Sequence, residues 1–219
     1  MNIYWYGQSF FKIESDKTVL AADPFDQSLG LKVPRLAADV VILTDKDNEH
    51  NNAKAVKGPE GAEPFLIDSP GEYEVNNIFV QGILIKPESK EKEADKKKDT
   101  TIYRIDLEGI SLVHLGNLNQ ILTEEQAEKL EGIDILMIPV GGAYALNAKQ
   151  AAEMISQLEP RIVIPMQYDI PGLKLKNKLA GLDAFCKEIG VCPKEKTNKF
   201  KIAKKDLPQE DLQVAILEP

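Results

Sequence analysis

Residues 38–50 read Ala38-Asp39-Val40-Val41-Ile42-Leu43-Thr44-Asp45-Lys46-Asp47-Asn48-Glu49-His50, and the abrupt change at Thr44 decides what kind of fold this is. Val40, Val41, Ile42 and Leu43 are consecutive apolar residues, three of them β-branched, and suit a strand covered on both faces. Six polar residues follow at once. A buried strand that ends this way places its polar tail in a cleft at the sheet edge, where the carboxyl ends of strands gather. Asp45, Asp47, Glu49 and His50 bring three carboxylates and an imidazole into six residues. Crowded anionic oxygens repel one another unless a proton or a cation neutralises them, which suits a hard divalent metal. The spacing is not that of a calcium-binding helix-loop-helix, which needs a turn glycine and a glutamate at its twelfth position. The alternative is a helix entry whose acids cap the first turn and favour its dipole. The residues alone leave both open.

Upstream of this strand, the runs 2–6, 10–13 and 19–22 are strand-like and are separated by Gly7-Gln8-Ser9 and Ser15-Asp16-Lys17, so they predict a meander. A modest helix-like segment follows around 52–56. Further strands are expected at 65–67, 78–85, 101–107 and 110–115, with turns at Ser69-Pro70-Gly71 and Glu108-Gly109. After His114 helices alternate with strands. Thr123-Glu124-Glu125-Gln126 has capping-box spacing, 133–140 and 161–166 read as buried strands, and Asn147 opens a helix through about Leu158. A last helix over about 176–189 stops at Gly190, and short strands at 200–202 and 213–217 close the chain. A β-rich half followed by a β/α half predicts an α/β sandwich, two sheets face to face with helices outside, in one domain over 1–219. Residues 88–99 hold five lysines and five acids and are expected to be a solvated hairpin extension.

The chain has 219 residues, 27 Lys+Arg and 35 Asp+Glu, for a net charge of −8. That excess repels phosphate backbones at long range, so a generic nucleic-acid binder is disfavoured. The lysines between Lys174 and Lys201 leave one local basic edge open, against a plain solvated face. No apolar run approaches the roughly 20 residues of a spanning helix, and the opening residues lack a signal-peptide pattern. A cytoplasmic protein without a membrane partner is expected. Cys186 and Cys192 are read as ordinary thiols. His50 and His114 are the only histidines, which excludes a three-histidine metal site.

Several strand ends carry a polar or glycine element that could converge on one site. They are Ile3-Tyr4-Trp5-Tyr6-Gly7-Gln8-Ser9-Phe10, Ala22-Asp23-Pro24-Phe25, residues 38–44, Ser69-Pro70-Gly71-Glu72-Tyr73-Glu74-Val75, His114-Leu115-Gly116, Ile138-Pro139-Val140-Gly141-Gly142 and Val163-Ile164-Pro165-Met166-Gln167-Tyr168. In order and spacing the chain resembles the metallo-β-lactamase fold family, and within it the zinc-dependent hydrolases related to the L-ascorbate-6-phosphate lactonases. That resemblance implies an αββα four-layer sandwich and a zinc pair in the cleft. At the metal motif the chain departs from the family pattern. The expected HxHxDH stands as Asp45-Lys46-Asp47-Asn48-Glu49-His50, the bridging aspartate falls at Asn117, the last histidine at Gln167, and Gln8 replaces an expected histidine.

The resemblance thus marks Asp45, Asp47, Glu49, His50, His114, Asn117 and Gln167 as candidate metal positions, with Gln8 and Asp23 beside them. Tyr144 either closes a substrate pocket or packs. Zinc favours thiolate and imidazole, whereas this oxygen-rich set suits Mn²⁺ or Mg²⁺ better. Two functions follow. In the first, the fold is kept without dizinc hydrolysis and the protein is a binding or interaction module with no cofactor. In the second, a weakly bound divalent metal (Mn, Mg or Zn) supports hydrolysis of a phosphoester, lactone or amide in a small molecule, with Asp47 or Glu49 as general base. No particular partner is identified.

Overall fold

The alternating residues of the opening form a three-stranded meander in the computed structural model, which describes residues 1–46, 48, 51–87, 99–191, 193 and 195–219. Strands β1 (Asn2–Trp5), β2 (Phe11–Glu14) and β3 (Val19–Ala22) pair antiparallel in sequence order. β4 (Val40–Ile42) then runs parallel to β3, and β5 (Phe65–Ile67) parallel to β4. Period-two alternation sorts the apolar side chains between two faces. Ile3, Trp5, Phe11, Ile13, Leu20, Ala22, Val40, Ile42 and Ile67 point between the sheets. Phe10, Ala21, Val41 and Leu43 join a separate cluster on the other face with Phe25, Leu29 and Val56. β4 feeds both clusters, which is why its sequence is apolar without alternation.

The second sheet begins with β6 (Gly71–Val75), β7 (Ile78–Ile85), β8 (Thr100–Leu107) and β9 (Ile110–His114), all antiparallel neighbours. After the short helix α1 (Glu124–Glu128), β10 (Ile135–Pro139) lies parallel to β9. α2 (Ala148–Leu158) crosses to β11 (Ile162–Met166), parallel to β10, and α3 (Leu182–Ile189) follows. The C-terminal stretch adds β12 (Lys196–Thr197), β13 (Phe200–Lys201), β14 (Gln213–Val214) and β15 (Ile216–Leu217). Strand order is β13-β1-β2-β3-β4-β5 in sheet one and β14-β11-β10-β9-β8-β7-β6 in sheet two, with β12 and β15 paired separately. Both capping boxes are present, Thr123 with Gln126 and Asn147 with Gln150.

The expected layered α/β sandwich holds, and its outer layers are unequal. Helix α2 buries Ala151, Met154, Ile155 and Leu158 in the main core. The outer face of sheet one is covered by 3₁₀ turns and loops that carry Leu29, Leu36 and Leu173. Full burial of Trp5, Phe11, Tyr103 and Phe185 at under 2% exposure is worth about 2 kcal/mol per side chain. Tyr103 also ties the sheets by a hydrogen bond, its hydroxyl donating to the Leu43 carbonyl at 3.0 Å.

Four local expectations are corrected. The segment around 52–56 is only a 3₁₀ turn, Ala53–Ala55. The last helix starts at Leu182, because Gly181 caps it with extended backbone. The stretch 213–217 is two strands broken at Ala215. Cys186 is disulfide-bonded, where a thiol was expected. The charged hairpin proposed for 88–99 lies outside the described residues except at Asp99. Among the described residues no helix is long and apolar enough to cross a membrane.

Candidate functional site

β1, β3 and β4 point the same way in sheet one, and β9, β10 and β11 point the same way in sheet two. Their carboxyl ends therefore form two polar fringes, and the fringes meet. Asp23, just past β3, takes three hydrogen bonds. Thr44 donates its backbone N–H to Oδ1 at 2.8 Å and its hydroxyl to Oδ2 at 2.7 Å. His114, the last residue of β9, reaches the same Oδ2 with Nε2 at 2.8 Å. A carboxylate only accepts, so Nε2 carries the hydrogen. The imidazole is fully buried, lies edge-on to Phe11 at 5.8 Å, and has no partner at Nδ1 among the described residues.

Gln167, just past β11, completes the other half. Its Nε2 donates to Asn117 Oδ1 at 2.6 Å and to the Gly116 carbonyl at 3.2 Å, using both amide hydrogens. Gly116 joins the halves. Its φ is +53°, and a Cβ there would overlap the Thr44 side chain, so the turn after β9 passes directly over Thr44. Hydrogen bonds thus link His114, Asp23 and Thr44 in one half and Gly116, Gln167 and Asn117 in the other, and the two halves touch where Gly116 passes over Thr44. Gln8 lies just past the end of β1, where its carbonyl accepts from Trp5 Nε1 at 2.7 Å while its buried Nε2 has no partner among the described residues.

Three of these residues hold left-handed backbone without being glycine: Gln8 at φ 49°, Asp23 at 46° and Gln167 at 53°. Such a conformation costs about 1 kcal/mol or more at each position and persists only where surrounding structure enforces it. Here it turns a side chain off the end of a strand. Tyr103 lies under this edge, and burial, followed by the Asp23 charge, pushes its phenol well above the ordinary range.

The structure thus brings together Asp23, His114, Asn117 and Gln167 from the sequence-derived set. Asp45 directly follows Thr44, half-buried, its carbonyl accepting from the Asn48 N–H at 3.2 Å. Tyr144 is 43% exposed and its hydroxyl accepts from the Asn177 N–H at 2.9 Å, which ties it to the loop beyond Gln167. Asp47, Glu49 and His50 lie outside the described residues. Sequence reasoning missed Thr44 as a site residue. A threonine closing a β-branched run reads as strand, and its role appears only when β3 and β9 are both in place.

A two-metal centre of the kind the fold resemblance implies does not fit the described donors. Among the described residues no three His, Cys, Asp or Glu side chains converge to hold a metal. Asn117 and Gln167 are neutral amides joined by one hydrogen bond, and His114, tied to Asp23 at Nε2, offers only Nδ1.

Comparison with known proteins gives a consistent picture. The sequence profile described as the Beta-lactamase superfamily domain matches residues 2–167. A UPF0173 metal-dependent hydrolase of Thermococcus onnurineus is 25% identical over 191 residues, covering 77% of this chain and 85% of its own length. One from Lysinibacillus sphaericus is 26% identical over 199 residues, covering 77% and 86%. Among solved structures, a presumptive Zn-dependent hydrolase of the metallo-β-lactamase superfamily from Thermotoga maritima superposes with a TM-score of 0.76. It is 29% identical, with 99% of this chain and 97% of that one covered.

Proposed function

This chain belongs to the beta-lactamase superfamily, and from that premise we propose that it keeps the superfamily fold and cleft without dizinc hydrolysis, and serves as a binding or interaction module. The observation that carries this reading is the Gln167–Asn117 hydrogen bond at 2.6 Å. Two side chains at positions where the resemblance puts metal ligands are neutral amides, joined by that one bond. A dizinc hydroxide rests on imidazole and carboxylate ligands that hold two cations at one water, and an amide pair supplies no anionic bridge between them. The His114–Asp23–Thr44 unit fixes the ring at Nε2, so Nδ1 is the only imidazole nitrogen left to meet a bound group. In this reading the protein works in the cytoplasm, its partner is a protein or a small molecule, and its acidic charge disfavours nucleic acid.

Relatives named as metal-dependent hydrolases support a second reading, in which a divalent metal binds an oxygen-rich site and supports hydrolysis. Elemental analysis separates the two. Purified protein is incubated with Zn²⁺, Mn²⁺ and Mg²⁺, desalted, and measured for metal content and melting temperature. The expected result is metal well below one equivalent and an unchanged melting temperature. Near-stoichiometric metal that His114→Ala or Asp47→Ala removes would overturn the module reading and direct attention to phosphoesters, lactones and amides.

A further inference from the structure

β13 covers only the first half of β1, pairing with Asn2 and Ile3. Tyr6 N–H donates to the Phe10 carbonyl at 2.9 Å, and Ile202 N–H donates to the Met1 carbonyl at 3.1 Å. In an antiparallel ladder the main chains of successive residues face opposite neighbours. Tyr4 and Tyr6 therefore face β2, whereas Met1, Ile3 and Trp5 face the β13 side, and Trp5 lies beyond the place where β13 begins at Phe200. Among the described residues no hydrogen bond reaches the Trp5 main-chain N–H or C=O, although the residue is only 1% exposed. The great majority of buried backbone groups are paired, so a donor and an acceptor left side by side mark the place of a partner.

A cavity of about 450 Å³ lies at this place, lined by Tyr4, Trp5, Tyr6, Lys199 and Glu218. Lys199 directly precedes β13, and Glu218, which directly follows β15, donates its N–H to the Thr197 carbonyl at 2.9 Å. Both side chains are exposed, and neither has an ion pair among the described residues. The Trp5 ring meets Tyr168 with centroids 5.0 Å apart, and the charge of Glu218 acts on the Tyr168 phenol. Glu218 thus stands on the face of β1 that carries Trp5, while Tyr4 and Tyr6 alternate to the other face.

We propose that this cavity docks the C-terminal end of an extended segment of another protein whose last residue is lysine or arginine. The segment continues the line of β13, antiparallel to β1. Its last residue lies opposite Trp5 and exchanges both main-chain bonds with it: one carboxylate oxygen accepts from Trp5 N–H, and the residue's own N–H donates to the Trp5 carbonyl. The antiparallel direction carries the carboxylate toward Lys199, whose ammonium donates to the second oxygen. The last side chain, on the Trp5 face, brings its cation to Glu218, and the residue before it packs beside the Tyr6 ring. One cation and one anion on opposite sides of the slot select a chain end, because a segment passing through would bring no carboxylate to Lys199. The docking does not rest on whether the cleft holds a metal.

The test is fluorescence anisotropy with a six-residue peptide, fluorescein-labelled at its amino end and ending in tyrosine and lysine with a free carboxylate. Two control peptides each change one group: a C-terminal amide, and an N-methyl on the last peptide nitrogen. Lys199→Glu and Glu218→Lys reverse charge at exposed positions of the protein, and circular dichroism and melting temperature show that each is folded. The expected result is saturable micromolar binding, weakened at least tenfold by either control and by either variant. Absence of binding overturns the proposal. Equal binding of the N-methylated peptide also overturns it, by removing the pairing with Trp5. Equal or tighter binding of the amide, whose net charge is more positive, would overturn it as plain attraction to an acidic protein. Unchanged binding to folded Lys199→Glu or Glu218→Lys has the same force. So does sedimentation showing a parent dimer that Lys199→Glu dissolves, which would make a second copy the occupant.

Discussion

Asp23 shows how one buried carboxylate can hold a strand end, a turn and an imidazole at once. Both of its oxygens accept, and all three donors come from the other strand ends, Thr44 and His114. Removing it leaves a backbone N–H, a hydroxyl and a ring N–H unpaired in a region where His114 is fully buried. Each such orphan costs about 1–3 kcal/mol. Asp23→Ala is therefore expected to lower unfolding stability by about 3–5 kcal/mol in urea titrations, with Asp23→Asn intermediate because it retains one acceptor oxygen. At this scale the sequence was informative where a polar residue interrupted an apolar pattern, as at His114 and Gln167. It was silent about pairing, because Asp23 and His114 lie 91 positions apart and only the docking of the two sheets makes them neighbours.

Strands and helices with a strong local signal were legible nearly to the residue. β5 and β7 fall where the apolar runs predict them, and α2 begins after Asn147, whose side chain accepts from the Gln150 N–H at 3.0 Å. That cap satisfies one of the donors a helix start leaves open, and the Gln150 side-chain oxygen accepts in return from Asn147 N–H at 3.1 Å. Asn147→Ala is expected to cost about 1 kcal/mol, read as a lowered urea midpoint with unchanged slope. Elements with weak periodicity were missed or misdrawn. β6 alternates Glu72, Tyr73, Glu74 and Val75 at an exposed edge, so little of it is apolar enough to announce a strand. The last helix was drawn too long at its start, from about 176, whereas Gly181 caps it in extended backbone and the helix opens at Leu182.

Across the whole molecule the two sheets are stitched by buried phenols as well as by apolar packing. Tyr103 donates to the Leu43 carbonyl at 3.0 Å, and Tyr168, tilted against Trp5 with ring centroids 5.0 Å apart, donates to the Leu217 carbonyl at 3.2 Å. Burial raises both phenols above their ordinary range, with the Asp23 charge adding to Tyr103 and that of Glu218 to Tyr168. Above pH ~10 the unfolded chain releases these protons while the native state retains them. The native state then binds more protons, so stability falls as pH rises. The contribution is fully present below pH ~10 and declines by about 1.4 kcal/mol per pH unit for each phenol above it. Urea unfolding followed from pH 8 to about 11.5 should show that decline, and Tyr103→Phe should make its slope shallower. The layered fold was readable because it depends on patterns repeated over many residues. The cleft was readable only as a set of candidates, because its connections are made by side chains from distant strands.

The two hydrogen-bonded halves of the cleft also carry a consequence for the order in which the protein assembles. Each of their links closes a loop of tens of residues, 91 from Asp23 to His114 and 50 from Asn117 to Gln167. Such long closures cost chain entropy that is recovered only when both sheets have already met. The cleft is accordingly a late feature of folding, and it acts as a latch: changes within it speed opening of the native state far more than they slow its formation.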